Sequence, residues 1–362
     1  DHPYREGEAA NLHYTWWGNY KKERWQDALN AGLAFLRENA NNGNIYQLYN
    51  NGNPRQSFCS AYFDRYNHEA LITSHRFTKW DLNSNAISQI RYLVGSPVLN
   101  YADMFEMKKD GAKFDWNKPE HRAHPFFTED FEEVRDPRLY ETLIVTGDKF
   151  WGRKAEIYKG GREQAKKMGG QNWRWNGMGY TGIGQRKYTQ DYLNELQNKF
   201  YQCCLMRLPE IYFNIAEAMN ELGKAQVKDE FGRDAYDYVN LVRARVNMPA
   251  ITPTKVPAGT DLREYILDER AREFGYEEVR YFDITRWKHK DYLDVPQRIL
   301  ESYPLGKKIN GHFRNFEYKI KEGPFENKRN WVTYWDNKYY LCPLPLAEIN
   351  KKYGLVQNPG WE

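Results

Sequence analysis

The residues best suited to chemistry stand in two polar stretches. In NWRWNGMGY, Trp173 and Trp175 alternate about Arg174, and Tyr180 follows. Glycines at 169, 170, 177, 179, 182 and 184 keep this stretch open and shallow. In KWDLNSNA, Trp80 stands beside Asp81, Asn83 and Asn85. A neutral sugar offers no charge, so its affinity must come from C–H faces stacked on rings and hydrogen bonds to hydroxyls. Exposed loop aromatics with Asn or Arg neighbours supply both. Trp80, Asn83, Asn85, Trp173, Arg174, Trp175 and Tyr180 are therefore the candidate ligand-binding residues, with Tyr92 and Trp116 as weaker candidates. The competing reading of each Trp is a buried pin that holds its own loop.

Other chemistries find less support. Asp81, Asn83 and Asn85 alternate like the opening of a calcium loop, but Ala86 replaces the required glycine and Tyr92 the twelfth-position acid. An Asx-turn cluster is the better account. His121 and His124 form an HxxH pair in a Pro-bounded loop, without a carboxylate at metalloprotease spacing. GMGYTG lacks the Lys-Ser/Thr of a phosphate loop, and GYTGIG is followed by RKYTQDY rather than an apolar helix. No GxSxG elbow occurs. Cys59, Cys203, Cys204 and Cys342 contain no CxxC pair, which disfavours zinc. They read as free, buried thiols. No cofactor, no metal and no catalytic residue is assigned, and the chain is not expected to be an enzyme. A glycoside hydrolase would need two carboxylates across a cleft, a separation that spacing cannot show.

The elements that position such loops are helices. Leu208, Ile211, Tyr212, Ile215, Met219 and Leu222 draw one apolar stripe, with Pro209 in the first turn and Gly223 past the end. Ala216 and Ala218 would let a partner helix approach. Tyr238, Val239, Leu241, Val242 and Val246 repeat the pattern up to Pro249. A third helix opens on Asp261 with Glu264 three later, read as a capping box, and carries Leu262, Tyr265, Ile266 and Phe274 up to Gly275. Tyr212, Tyr238 and Tyr265 thus belong to helix stripes, not to a ligand. Asp268, Glu269, Arg270, Arg272, Glu273, Glu277, Glu278, Arg280, Asp283 and Arg286 read as solvated faces and structural ion pairs. Nearer the start, EAANLHYTWWGNY and Trp25, Ala28, Leu29, Gly32, Leu33 and Leu36 read as a second hairpin, with Trp16 and Trp17 packed near its turn. Residues 39–54 read as loop, 58–76 as a strand or short helix, and DPRLYETLIV (136–145) as a turn into a strand. Single hairpins cannot bury their stripes, whereas stacked ones can, as in tetratricopeptide-like arrays.

Composition sets the outer bounds. A chain of 362 residues with 41% hydrophobic and 28% charged residues is globular and not disordered. A net charge of +4, with no basic cluster, gives no case for nucleic acid. No apolar run of membrane-spanning length occurs. Aromatics reach 16%, with 12 Trp and 28 Tyr, a surplus over core needs that suits exposed stacking faces.

The helical stretch RLPEIYFNIAEAMNELG, VNLVRARVNMP and ILDERAREFGYEEVRYFDITRW resembles the C-terminal signature of the SusD/RagB family of outer-membrane nutrient-binding lipoproteins. NHEALITS, YADMFEMKKDG, DPR, TGIGQRKY and YLCPLPLAEINKKYGLVQNPGW are similar to further family segments in the same order. Each motif is weak alone, but the ordered series is specific and spans essentially the whole chain. The resemblance implies a mostly α fold, with tetratricopeptide-like hairpins framing an irregular, loop-rich region and a few short strands. It implies one SusD-like domain: a hairpin at 8–40, an irregular ligand-binding region at 41–200, hairpins at 205–290 and a C-terminal tail region at 291–362. It further implies binding of an oligosaccharide or polysaccharide, or in some members a peptide, at the cell surface, and delivery to a SusC-type TonB-dependent transporter. The expected location is the outer membrane, with a leader, a lipid-bearing cysteine and first helices upstream of Asp1. A protein-interaction scaffold is a further alternative, disfavoured by about 160 irregular residues between the hairpins.

Overall fold

The computed structural model describes residues 19–75, 97–150, 152–163, 181–188, 202–292, 294–323, 335–358 and 360–361. Helices dominate it. The first long one, α1 (Glu23–Asn41), lies against α6 (Leu208–Glu221). Gly32 makes that contact possible: a Cβ there would come within 2.5 Å of Ile215 Cγ1. α6 packs on α7 (Ala235–Arg245) and α8 (Thr260–Glu273), and α8 on α9 (Val279–Trp287). Ile211, Ile215, Met219, Val239, Val242, Ile266 and Phe274 are all buried in one cluster, to which α1 adds Leu29 and Leu36. The predicted stripes therefore meet, and Ala216 and Ala218 are buried with them. At 2–5 kcal/mol for a typical buried Ile→Ala change, Ile215 alone contributes a sizeable part of a domain's net stability, about 5–15 kcal/mol.

The helix ends correct two expectations. Asp261 and Glu264 form no capping box, because the N-cap of α8 is Gly259 at φ +93°. Asn220 of α6 takes over the fastening: its amide donates to Gly259 O at 2.8 Å and its Oδ1 accepts from Gly259 N at 2.7 Å. The capping box present here is instead Asp234 with Asp237, at the start of α7. Helix α7 also stops at Arg245, ahead of Pro249, with Asn247 in the left-handed region.

The irregular half is built from short pieces. α2 (Pro54–Phe63) leads into β1 (Ala70–His75), which pairs antiparallel with β6 (Gln202–Arg207) through an irregular register. The segment read as a turn into a strand is mostly helix: α5 (Pro137–Thr142), followed by the two-residue strand β2 (Leu143–Ile144). The physical reason is local. Pro137 suits the first helical position, and the Asp136 carboxylate accepts from Arg138 N at 2.9 Å as the N-cap. Before it come the short helices α3 (Leu99–Asp103) and α4 (Pro119–Ala123). β3 (Lys149–Phe150) pairs with β4 (Arg153–Lys154), and β2 with β5 (Gly184–Gln185). β7 (Arg298–Leu305) and β8 (Asn315–Glu322) form the longest ribbon, and α10 (Leu346–Ile349) lies in the tail region. A second core of Leu99, Phe105, Phe126, Leu139, Tyr140, Leu143, Val145, Ile183 and Leu300 holds this half together. Among the described residues no helix is long and apolar enough to cross a membrane.

None of the four cysteines forms a disulfide, and the expectation that all are buried is corrected: Cys203 and Cys342 are exposed and Cys59 is half-buried. Burial pushes the Cys59 and Cys204 thiols up to about 12, which makes them poor nucleophiles.

Candidate functional site

Trp80, Asn83, Asn85, Trp173, Arg174, Trp175 and Tyr180, with the weaker candidate Tyr92, lie outside the described residues. So do Trp16 and Trp17. What can be built is the frame from which the glycine-rich segment departs and to which it returns. On the departing side, the buried Glu163 carboxylate accepts from Arg153 Nη1 at 3.1 Å and from Glu156 N at 2.8 Å. Gly161 passes so close to Glu156 that a Cβ would lie 2.1 Å from its carbonyl oxygen. On the returning side, Thr181 O accepts from Leu300 N of β7 at 2.9 Å. Gly182, at φ +76°, leaves no room for a side chain, since a Cβ would fall 1.9 Å from Leu300 O. Both bases are thus held by buried hydrogen bonds and close backbone contact, the arrangement in which a rigid scaffold carries a functional loop.

Trp116, the one described residue among the ligand candidates, is a loop anchor. Its Nε1 donates to the Asp103 carboxylate at 3.0 Å, and its ring packs against Phe114 and Tyr318. His121 is also structural: its Nδ1 accepts from Asp115 N at 3.1 Å and its ring stacks on Phe114. Among the described residues no group of His, Cys, Asp and Glu could hold a metal ion. Other aromatic faces of this half are covered by cations. Lys154 Nζ sits 3.7 Å from the Phe131 ring centre and the Arg314 guanidinium 4.4 Å. Such rings are already stacked and offer a sugar little.

Arg135 fastens this half without any salt bridge among the described residues. Its fully buried guanidinium donates to the carbonyls of Phe105, Pro125 and Ala102 at 2.5–3.1 Å and lies 3.9 Å over Phe114. Burial lowers its pKa to about 10.

The charged run of α8 forms the structural ion pairs expected of it, but its central acids do not lie on a solvated face. Glu269 and Glu273 are fully buried and sit at the centre of an ion network. Glu269 accepts from Arg138 at 2.6 Å, Arg243 at 2.9 Å and Arg272 at 2.6 Å. Glu273 accepts from Arg207 at 2.8 Å, Arg245 at 2.5 Å and Arg138 at 3.2 Å. Asp136, Glu69, Glu106 and Glu277 complete the acids, and Lys187 joins through Glu277 at 2.5 Å. Six cations (Arg138, Lys187, Arg207, Arg243, Arg245, Arg272) thus meet six carboxylates (Glu69, Glu106, Asp136, Glu269, Glu273, Glu277). Burial alone would raise the carboxyls of Glu269 and Glu273. The surrounding guanidinium groups outweigh it and hold both well below the usual carboxylate range. The network ties α7 and α8 to the turn before β1, to β6 and to α5, so it joins the helical array to the loop-bearing half.

A cleft of about 780 Å³ opens on the helical side. Trp25, Ala28, Ala31 and Gly32 of α1 form one wall, Leu205, Met206 and Ile211 the floor, and Val279 and Phe282 of α9 the opposite wall. Several of its polar groups pair with one another. Glu217 accepts from Arg286 at 2.5 and 2.7 Å and from Trp287 Nε1 at 2.7 Å. Asp283 accepts from Arg270 at 2.7 Å and Arg286 at 2.9 Å. Leu205 and Phe282 are 62% and 65% exposed. Such a surface suits an apolar partner better than a hydroxyl-rich sugar. Exposed Leu205 follows from its place in a two-stranded ribbon, a location that side-chain periodicity in a short strand could not resolve.

Comparison with known proteins agrees with this architecture. A model of the SusD family matches residues 15–361. SusD-like protein P2 of Formosa agariphila is 28% identical over 162 residues, 43% of this chain and 25% of the relative. A SusD-like protein of Bacteroides fragilis superposes with a TM-score of 0.65 at 21% identity, covering 93% of this chain and 62% of that one. A SusD-like carbohydrate-binding protein of the same species gives a TM-score of 0.58 at 22% identity, over 91% and 61%. At these identities the two structures speak to the fold. The chain spans a quarter of the curated relative and less than two thirds of these solved ones.

Proposed function

Because the chain belongs to the SusD family, we propose that it is a non-catalytic glycan-binding protein of the outer-membrane surface. It captures an oligosaccharide or polysaccharide and hands it to a SusC-type TonB-dependent transporter, with no cofactor. The family match over residues 15–361 is the observation that carries this reading. The frame described above supports it: a glycine-rich segment with three aromatic candidates departs from two rigid bases. Trp173, Trp175 and Tyr180, together with Trp80, supply the stacking faces, and Asn83, Asn85 and Arg174 the hydrogen bonds. The helical array is left to carry the transporter, since arrays present broad faces while loops carry ligands.

A glycan array followed by calorimetry tests the reading. Single Ala variants of Trp80, Trp173, Trp175 and Tyr180 are compared with the parent chain for affinity and melting temperature. At least one is expected to lose most of the affinity at an unchanged melting temperature. Normal binding by all four, or loss of stability alone, would refute this platform. Binding of peptides and no glycan would refute the substrate class. For the partner, purification from membranes in mild detergent is expected to retain a large β-barrel with the protein, and recovery of the monomer by itself would count against delivery.

A further inference from the structure

We propose that Lys154, Lys308 and Arg314, gathered with His312 about the ring of Phe131, form a subsite for an acidic substituent of the captured polysaccharide, a sulfate ester or a uronate carboxylate. The inference rests on the glycan-binding reading above and narrows its substrate class to anionic glycans. The subsite lies beside the frame of the glycine-rich segment. Lys154 ends β4, just before the Glu156 that Gly161 crosses. His312 and Arg314 lie on the turn of the β7–β8 ribbon, whose β7 holds Thr181 through Leu300.

The parts are held in place. Asn310 and Gly311 stand at φ +51° and +81°, and Ile309 and His312 exchange backbone hydrogen bonds at 2.8 and 3.1 Å, so the ribbon turn is tight. Phe131 is itself in the left-handed region at φ +64°, a costly conformation for a bulky residue and one that tends to persist at functional sites. Gly147 leaves room for its ring, since a Cβ there would come within 3.0 Å of Phe131 Cε1. Lys154 and Arg314 lie against this ring, and the His312 ring meets it edge-on at 6.0 Å.

The charges here lack the match seen in the buried network. Lys154 Nζ donates to the Gly147 carbonyl at 3.2 Å and Arg314 Nη1 to the Glu129 carbonyl, both neutral acceptors. Arg314 Nε is buried without a hydrogen-bond partner. The nearby acids are already engaged: Asp148 by Arg55 at 3.0 Å and Arg186 at 2.8 Å, and Glu156 by Lys308 at 3.5 Å. Glu129, Asp130 and Glu132 flank Phe131 but are exposed, and among the described residues they form no ion pair with this cluster. Burial, then Arg314 and Lys149, lowers the Lys154 pKa against the pull of Asp148. Burial, then Lys154, Lys308 and Arg314, lowers that of His312 against Glu156. Lys154, His312 and Arg314 are half-buried, so an oxyanion can reach them and accept from both the ammonium and the guanidinium.

The test uses the full 362-residue chain. Its first probe is inorganic sulfate, followed through the His312 ring protons, assigned with His312→Gln. Sulfate should raise the His312 pKa, because an anion favours the protonated ring, and should fail to do so in Lys154→Gln/Arg314→Gln. The second probe is a panel of neutral, sulfated and uronate polysaccharides, read by calorimetry. The parent chain is expected to prefer acidic members, and the double variant to lose about tenfold or more in affinity. The sulfated and uronate arms tell which acid is taken. Lys319→Gln/Lys321→Gln removes the same net charge from β8 and should leave binding unchanged. If the first double variant does not fold, Lys308→Gln takes its place with a several-fold loss expected. No response of His312 to sulfate would overturn the subsite. So would preference for neutral members, equal losses in both double variants, or loss on Arg174→Ala alone; each of these leaves the glycan-binding reading standing. A sulfate response without binding of any polysaccharide would refute that reading and, with it, the assignment of this ligand.

Discussion

At the scale of single residues, buried charge is the feature with the largest consequences. Glu273 touches three guanidinium groups, and none of them has water to fall back on. Glu273→Gln should therefore cost about 3–5 kcal/mol, because it leaves Arg207 and Arg245 with less counter-charge than burial demands. Denaturant unfolding reads this as a lower midpoint at constant slope. The pH dependence has a definite sign. Folding lowers the pKa of Glu269 and Glu273, so their contribution is complete above the ordinary glutamate value of about 4.3 and is lost as pH falls from there toward the folded value. The stability gap between the parent chain and Glu273→Gln should stay constant near neutrality and shrink below pH of about 4. A gap that widened in acid would contradict the assignment. The spacing held a clue to this burial. Leu262, Ile266, Glu269 and Glu273 follow one another at four, three and four residues, so both acids lie on the apolar stripe of α8. Residue type alone suggests solvated faces and structural ion pairs, because a sequence shows the charge and not the partners, which come from residues as distant as Arg138 and Arg207.

At the scale of elements, helix interiors were legible and helix ends less so. The stripes of α6 and α7 are determined by a 3.6-residue repeat of apolar side chains that any partner must cover. Ends are determined by single contacts, and the start of α8 depends on Asn220, 39 residues earlier in the chain but adjacent in space. DPR read as a turn because its two helical turns are too short to show a period, although Asp before Pro was itself a helix-start signal. Two outcomes follow for the array. Removing the true cap with Asp234→Ala should cost about 0.5–2 kcal/mol, while Asp261→Ala, at a position that caps nothing, should cost much less. Equal losses would restore the capping box at α8. The α1–α6 contact is tighter still. Gly32→Ala drives a methyl to within 2.5 Å of Ile215 and should cost about 1–3 kcal/mol by overpacking. Ile215→Ala opens a cavity at about 2–5 kcal/mol. The two changes together should cost clearly less than their sum, since one methyl enters the space the other vacates. Strict additivity in that double-mutant cycle would mean that the helices do not meet at these residues.

At the scale of the whole molecule, two surfaces of different chemistry are held apart by one ion-paired joint. On the function proposed above, the loop side would supply rings and amides, whereas the helical side holds a cleft lined by Trp25, Leu205 and Phe282. The aromatic surplus in the sequence points to stacking as the class of chemistry proposed for the first. Which ring does the stacking was not legible there, because a loop Trp that pins and a loop Trp that binds have the same neighbours, as the anchored Trp116 demonstrates. The balance of charge supplies a discriminating prediction. Net charge is only +4 over 362 residues, and the arginines of the buried network are matched to carboxylates. Capture of a neutral oligosaccharide by stacking and hydrogen bonds should then be nearly indifferent to salt. A tenfold rise in ionic strength should change its affinity by less than about twofold, because screening acts on charges and leaves ring contacts alone. An anionic polysaccharide or an acidic peptide held by Arg174 would instead weaken several-fold over the same range, since an exposed ion pair loses most of its attraction beyond about 10 Å of screening length. Calorimetry at two salt concentrations on the best ligand of the glycan array separates the cases. A steep loss with salt would move the decisive contact from the rings to the guanidinium and would make Arg174→Ala, rather than Trp173→Ala or Trp175→Ala, the variant that abolishes binding.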